Sequence, residues 1–307
     1  MTEDYLMARS KRGSKKDFQR ILSSVNDKLG DFHSPCRIQG GLVSITFRAL
    51  APHEVVALVV RSGLKGVEWG GDVHVLHGDE VRAKEVAALT REAGLCCCAY
   101  GSYYRLAASE GEGLAFERVL ASARLLDAPT IRVWAGRGGS AETSPERRAA
   151  VVADALRIAD LAASEERIIA LEYHSGTLTD SAESVARLMR ELAHPAIRFM
   201  WQPAVERPPE CHLPELRQVL PRLANLHVYQ WTMSGTEIIR YPLEEGADVW
   251  PRYLAEASGT GRPHWALLEY VRNDAPEQFL HDAATLRRWL TKLETRNSRL
   301  ETRDPKL

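Results

Sequence analysis

Four side chains combine donor chemistry with a regular spacing: Glu172, Gln202, His227 and Glu269, separated by 30, 25 and 42 residues. Each lies within or just beyond an apolar run, in RIIALEY, IRFMWQ, LANLHVYQW and HWALLEYV. A buried carboxylate or imidazole is costly unless it is paired, hydrogen-bonded or bound to a metal. Two carboxylates, an imidazole and an amide oxygen suit a divalent ion, Mn2+ first, with Mg2+, Co2+ or Zn2+ as alternatives. Two negative charges match those of the ion, and an octahedral ion keeps two positions for adjacent substrate oxygens. The competing account is structural: Glu172 and Glu269 would pair with arginines, for which Arg132 and Arg105 are the candidates.

For these residues to converge, their segments must lie side by side with like ends together. From residue 41 the chain alternates short apolar or β-branched runs with longer segments whose apolar positions recur at three and four residues. Strands are expected at 41–47, 65–69, 95–100, 130–134, 167–173, 197–201, 223–231 and 264–271. Helical stretches such as EVRAKEVAALTREAG and SPERRAAVVADALRIADLAAS lie between them. Asp180 or Ser181 can cap one helix, Gly94 closes another, and His77 with Asp79 can cap the second. Eight such units fit an α/β fold with a single (β/α)8 TIM barrel, and no glycine-rich phosphate loop opens any helix. The expected organisation is an N-terminal extension at 1–38, partly helical or disordered, a barrel at 39–296 and a charged tail at 297–307.

Composition narrows the partners. Forty basic residues face 41 acidic ones, a net charge of -1. That balance gives no general attraction to nucleic acid or anionic membrane. No run approaches the roughly 20 apolar residues that span a bilayer, and the basic start lacks an apolar signal core. Five cysteines, three of them consecutive as Cys96, Cys97 and Cys98, form no disulfide framework. Reduced, packed thiols in a cytoplasmic protein are expected, alternating between the barrel interior and the helix layer.

In a barrel of this kind the carboxyl ends of the strands form the active face. Besides the four donors, those ends carry Glu68, Trp69, Tyr103, Trp134, His174, Trp201 and Trp231, with His74 in the loop that follows GVEW. Glu68, His74, Tyr103, Trp134, His174 and Trp201 are assigned to a small-molecule substrate, the aromatic rings as stacking surface for a sugar or other ring.

The series GVEWGGDVH, YGSYY, LEYHSGTLTD, WQP, NLHV and LLEYV, with RYPLEEG before the seventh helix, resembles the sugar phosphate isomerase/epimerase superfamily of xylose isomerase-like TIM barrels over residues 41–293. The resemblance implies a divalent metal held at strands five to eight, roles that carry to Glu172, Gln202, His227 and Glu269. Position 202 departs from the family pattern, because Gln stands where Asp is usual. The amide can ligate but cannot carry a proton. Arg240 matches a loop arginine that family members use for a substrate hydroxyl or anionic group.

The implied activity is a metal-dependent isomerase or epimerase acting on a sugar, polyol or related hydroxy ketone. Glu172 and Glu269 would be the proton carriers beside a metal-bound carbonyl. A lyase of the same superfamily is the second reading, of inosose or dehydroshikimate dehydratase type or a C-glycoside-cleaving subunit. A non-catalytic binding barrel is the third. DNA repair of endonuclease IV type ranks below them, because its three-metal site needs more His and Asp ligands. A homo-oligomer is compatible with all of these readings.

Overall fold

TIRVW and IRFMW form strands over the expected residues in the computed structural model, which describes residues 38–301. The extension expected at 1–38 lies outside the described residues except for Ile38, as do residues 302–307 of the tail. The barrel strands are β1 (Ile38–Val43), β2 (Gly66–Gly70), β3 (Cys96–Arg105), β4 (Thr130–Trp134), β5 (Ile168–Glu172), β6 (Ile197–Trp201), β7 (Leu223–Val228) and β10 (His264–Leu268). All neighbours are parallel, and β10 returns to pair with β1, Leu42 standing opposite Leu268 on one side and Val67 on the other. Among the described residues, eight helices alternate with these strands: α1 (Pro52–Ser62), α2 (Glu80–Glu92), α3 (Phe116–Leu125), α4 (Pro145–Ser164), α5 (Ala182–Glu191), α6 (Pro209–Val219), α7 (Trp250–Ser258) and α8 (Pro276–Glu301). Among the described residues no helix is long and apolar enough to cross a membrane.

Punctuation in the sequence sets several helix ends. Asp79 accepts a hydrogen bond from the Arg82 amide at 3.0 Å, and Ser181 accepts one from the Ser184 amide at 3.3 Å. Such caps each contribute about 1 kcal/mol. Several boundaries differ from expectation, among them the reach of β3 to Arg105 and the end of β10 at Leu268. β1 starts at Ile38, and Ser44–Phe47 leaves the ladder as a 3-10 turn whose Ser44 hydroxyl takes the Gly70 amide at 2.9 Å. β7 stops at Val228, and Trp231–Ser234 (β8) pairs with Glu237–Arg240 (β9) in an antiparallel hairpin around Gly235. Helix α8 continues past residue 296, where the charged tail was expected to begin.

Strand alternation decides which side chains look inward. In β5, Ile168 and Ala170 belong to the barrel interior with Val43, Cys98, Met200, Trp265 and Leu267, whereas Ile169 and Leu171 pack against the helices. The cysteines alternate as expected: Cys96 and Cys98 face the interior cluster and Cys97 the helix layer. Large and small residues share the interior. A Cβ at Gly66 would stand 2.5 Å from the Trp265 ring, so the indole occupies the space that this glycine leaves.

Candidate active site

Continuing the inward phase of each strand brings Glu68, Arg132, Trp134, Glu172, Gln202, His227 and Glu269 to one end of the barrel. The chain thereby gathers the four selected donors, and adds to them a charged group in the interior layer. Arg132 donates from Nε to Glu68 Oε1 at 2.7 Å and from Nη1 to Glu172 Oε2 at 2.5 Å. Trp134 Nε1 donates to the same Glu172 oxygen, and Gln202 Nε2 donates to Glu172 Oε1 at 3.2 Å and to the Tyr173 carbonyl at 2.9 Å. His227 Nε2 meets Glu68 Oε2 at 3.2 Å, and its Nδ1 lies 3.3 Å from Glu269 Oε2 and 3.8 Å from Glu172 Oε1. Glu68, Arg132, Glu172 and His227 are all buried.

Burial alone would neutralise these groups, and their mutual pairing opposes it. For Glu68, burial pushes the carboxyl up, but Arg132 and His227 outweigh it and hold it down at about 2. Glu172 is likewise lowered against its burial, by Arg132 and then His227. Burial lowers His227, while Glu269 and Glu68 more than offset this and raise it to about 10. Arg132 stays charged because Glu172 and Glu68 overcome its desolvation. Glu68 and Glu172 are thereby held ionised beside the charged Arg132 and His227.

Glycine makes the arginine's place. A Cβ on Gly101 would fall 2.6 Å from Arg132 Nη2 and 2.8 Å from Glu68 Oε1, so a side chain there would collide with the ion pair. Tyr103, at a positive φ of 54°, turns its ring over the Arg132 guanidinium at 4.8 Å and against Trp134 at 5.6 Å. A non-glycine residue in that backbone region is strained by about 1 kcal/mol or more, and here it lies beside the charged cluster.

The other residues assigned to substrate divide by strand phase. His174 stacks on Trp134 with ring centroids 4.6 Å apart, and its Nδ1 donates to the Ser175 carbonyl. Arg240, on β9, pairs with Asp274 at 2.7 Å and covers the Tyr270 ring beyond β10. Trp201 occupies the outward phase of β6 and is fully buried against Trp250 and Tyr253, away from the mouth. Trp69 is outward as well, donating to Thr90 on α2. His74 is buried, with one nitrogen on Ser44 Oγ at 2.9 Å and the other on the Leu50 carbonyl at 3.2 Å, so it braces the β1 turn. Glu68 is fully buried, with one oxygen engaged by Arg132 and the other by His227. Arg132 enters as the partner of Glu172, but Arg105 does not pair with Glu269. Its alternation with Trp134 in TIRVW was the signal for an inward arginine.

Do these residues fit a divalent ion? Among the described residues no three of His, Cys, Asp and Glu already form a metal cage, because one Glu172 oxygen is turned to Arg132 and the fourth donor is an amide. Among the buried atoms of the described residues that lack a hydrogen-bond partner are Arg132 Nη2 and two atoms of the proposed donor set, Gln202 Oε1 and His227 Nδ1. The 3.3 and 3.8 Å separations around Nδ1 approach the roughly 3 Å between adjacent ligands of an ion with bonds near 2.1 Å. Glu68 on Nε2 holds the ring so that Nδ1 faces the carboxylates, as carboxylates behind metal-binding histidines commonly do. The donor set fits.

A closed eight-stranded barrel with this cluster at its carboxyl end agrees with the match of residues 56–292 to the xylose isomerase-like TIM barrel family, to which the chain belongs. Among its relatives is a 3-dehydroshikimate dehydratase of Bacillus anthracis, 24% identical over 265 residues, covering 77% of this chain and 92% of the relative. The crystal structure of the probable 3-DHS dehydratase AsbF from Bacillus anthracis superposes with a TM-score of 0.68 at 22% identity, covering 81% of this chain and 98% of that one. The 3-keto-D-glucoside 4-epimerase YcjR of E. coli gives a TM-score of 0.63 at 16% identity over 83% and 99% of the two chains. At these identities the structural likeness speaks for the fold.

Proposed function

We propose that the protein is a lyase that removes water from a cyclic hydroxy ketone, beginning with abstraction of the proton beside the carbonyl. The observation that carries this reading is the unequal company of the two glutamates. Glu172 receives hydrogen bonds from Arg132, Trp134 and Gln202. A carboxylate so saturated is a weak base. Glu269 has one ion pair, through Oε2 to His227, and its Oε1 takes part in no hydrogen bond or ion pair among the described residues.

One free carboxylate suits elimination better than epimerisation by a pair of bases on opposite faces. Glu269 takes the proton from the carbon next to the carbonyl, and the electron pair of that C–H bond enters a new C=C bond. The C–O bond of the neighbouring hydroxyl then breaks, and Glu269 hands its proton to the departing oxygen, which leaves as water. Glu172, Gln202, His227 and Glu269 would hold a divalent ion, which when bound supplies a Lewis acid for the carbonyl oxygen. Arg132 and Trp134 keep Glu172 ionised and fixed, while Tyr103 and Trp134 offer ring surface to a cyclic substrate. The dehydratase among the relatives supports the same choice over an isomerase.

Incubation with 3-dehydroshikimate in the presence of Mn2+ tests the reading. Loss of water with growth of aromatic absorbance is expected. Solvent deuterium entering a ketose with inversion at that carbon, and without loss of water, would assign an epimerase instead.

A further inference from the structure

Arginines around the mouth are mostly occupied. Arg48 pairs with Asp72 at 2.7 Å, Arg137 with Glu112 at 2.6 Å and Arg240 with Asp274 at 2.7 Å, while Arg132 is held between Glu68 and Glu172. Arg105, the last residue of β3, differs. Its guanidinium lies 3.8 Å from the centroid of the Trp134 ring and has no hydrogen bond or ion pair among the described residues. It is only partly buried, so its donors open toward solvent. The same indole donates to Glu172 and stacks with His174, which puts the free guanidinium one ring away from the proposed chemistry.

A guanidinium resting on an aromatic face keeps its edge donors free and loses little side-chain freedom when they are used. That planar fork matches the two oxygens of a carboxylate. We propose that Arg105, braced on Trp134, receives a carboxylate carried by the substrate, so that the site selects a cyclic hydroxy ketone acid over its neutral counterpart. The inference rests on the lyase reading for the nature of the ring, and on Arg105 alone for its charge.

Binding of 3-hydroxybenzoate and of 3-hydroxybenzamide, followed by calorimetry and by tryptophan fluorescence, separates the two. The wild-type protein is expected to bind the acid at least about tenfold more tightly than the amide, the scale of one charge-assisted pair. Arg105→Gln should erase that preference, Arg105→Lys should restore part of it, and Arg137→Gln, at a guanidinium already paired, should keep it. Melting temperatures near wild type would show each variant folded. A preference that survives in Arg105→Gln, equal binding of acid and amide by the wild type, or no binding of either overturns the proposal. Because no turnover is measured, a failure to eliminate water would count against the lyase reading and not against Arg105.

Discussion

Arg132 and Trp134 donate to one oxygen of Glu172 and Gln202 to the other, whereas Glu269 has a single ion pair among the described residues, with the imidazole of His227. Proton transfer by a positioned group contributes about 10²- to 10⁴-fold to rate, so Glu269→Gln is expected to lower kcat within that range, with a stability loss confined to its single ion pair with His227 and smaller than that of Glu172→Gln. Glu172→Gln should act differently. It removes a charged acceptor from the buried Arg132, and a loss of about 2 kcal/mol in stability accompanies the loss of activity. Steady-state kinetics paired with urea unfolding of both variants makes the comparison. Equal stability losses, or near-full turnover in Glu269→Gln, would contradict the division of labour.

Strand phase explains what the sequence disclosed and what it hid. Apolar periodicity located all eight barrel strands, and the inward residues Glu172, Gln202, His227 and Glu269 lie where their spacing implied. Trp201 and Gln202 are adjacent in the chain, so they cannot both face the interior. Taking Ile197, Phe199 and Trp201 as one face would have assigned the tryptophan to the helix layer. The same rule makes Arg132 share a face with Trp134, yet it could not say that β3 offers a glycine to receive the guanidinium. The β8–β9 hairpin was hidden for another reason, since short exposed strands lack an apolar face. The element-level prediction is Gly101→Ala. Its Cβ would meet Arg132 Nη2 and Glu68 Oε1 across β3, and overpacking of this kind costs about 1 to 3 kcal/mol. Urea denaturation should register that cost and turnover should fall with it, and an unchanged midpoint with full activity would mean that the ion pair tolerates displacement.

Across the whole barrel, stability couples to solution conditions at both ends. At the amino end of β10, His264 is buried, with Nδ1 on the Ala224 carbonyl at 2.6 Å and Nε2 on Thr260 Oγ1 at 2.7 Å. Burial lowers its pKa to about 4 from 6.5. The unfolded chain therefore takes up this proton first as pH falls. Its contribution, about 3 kcal/mol, is intact above pH 6.5 and is lost between there and pH 4. Denaturant titrations of wild type and His264→Gln over that interval should converge at low pH, and parallel curves would assign the acid sensitivity to other groups. At the carboxyl end the coupled variable is the ion. A ligand that binds only the folded state at 100 times its Kd stabilises by about 2.7 kcal/mol, so Mn2+ should raise Tm and a chelator should reverse the rise. Gln202→Asp sharpens the test. Aspartate cannot donate to Glu172 or to the Tyr173 carbonyl, so the ion-free variant should melt lower than wild type, but its added charge should enlarge the Mn2+-dependent rise. A smaller rise than wild type would remove Gln202 from the ligand set, and no response of the wild type to Mn2+, Mg2+, Co2+ or Zn2+ would remove the metal itself.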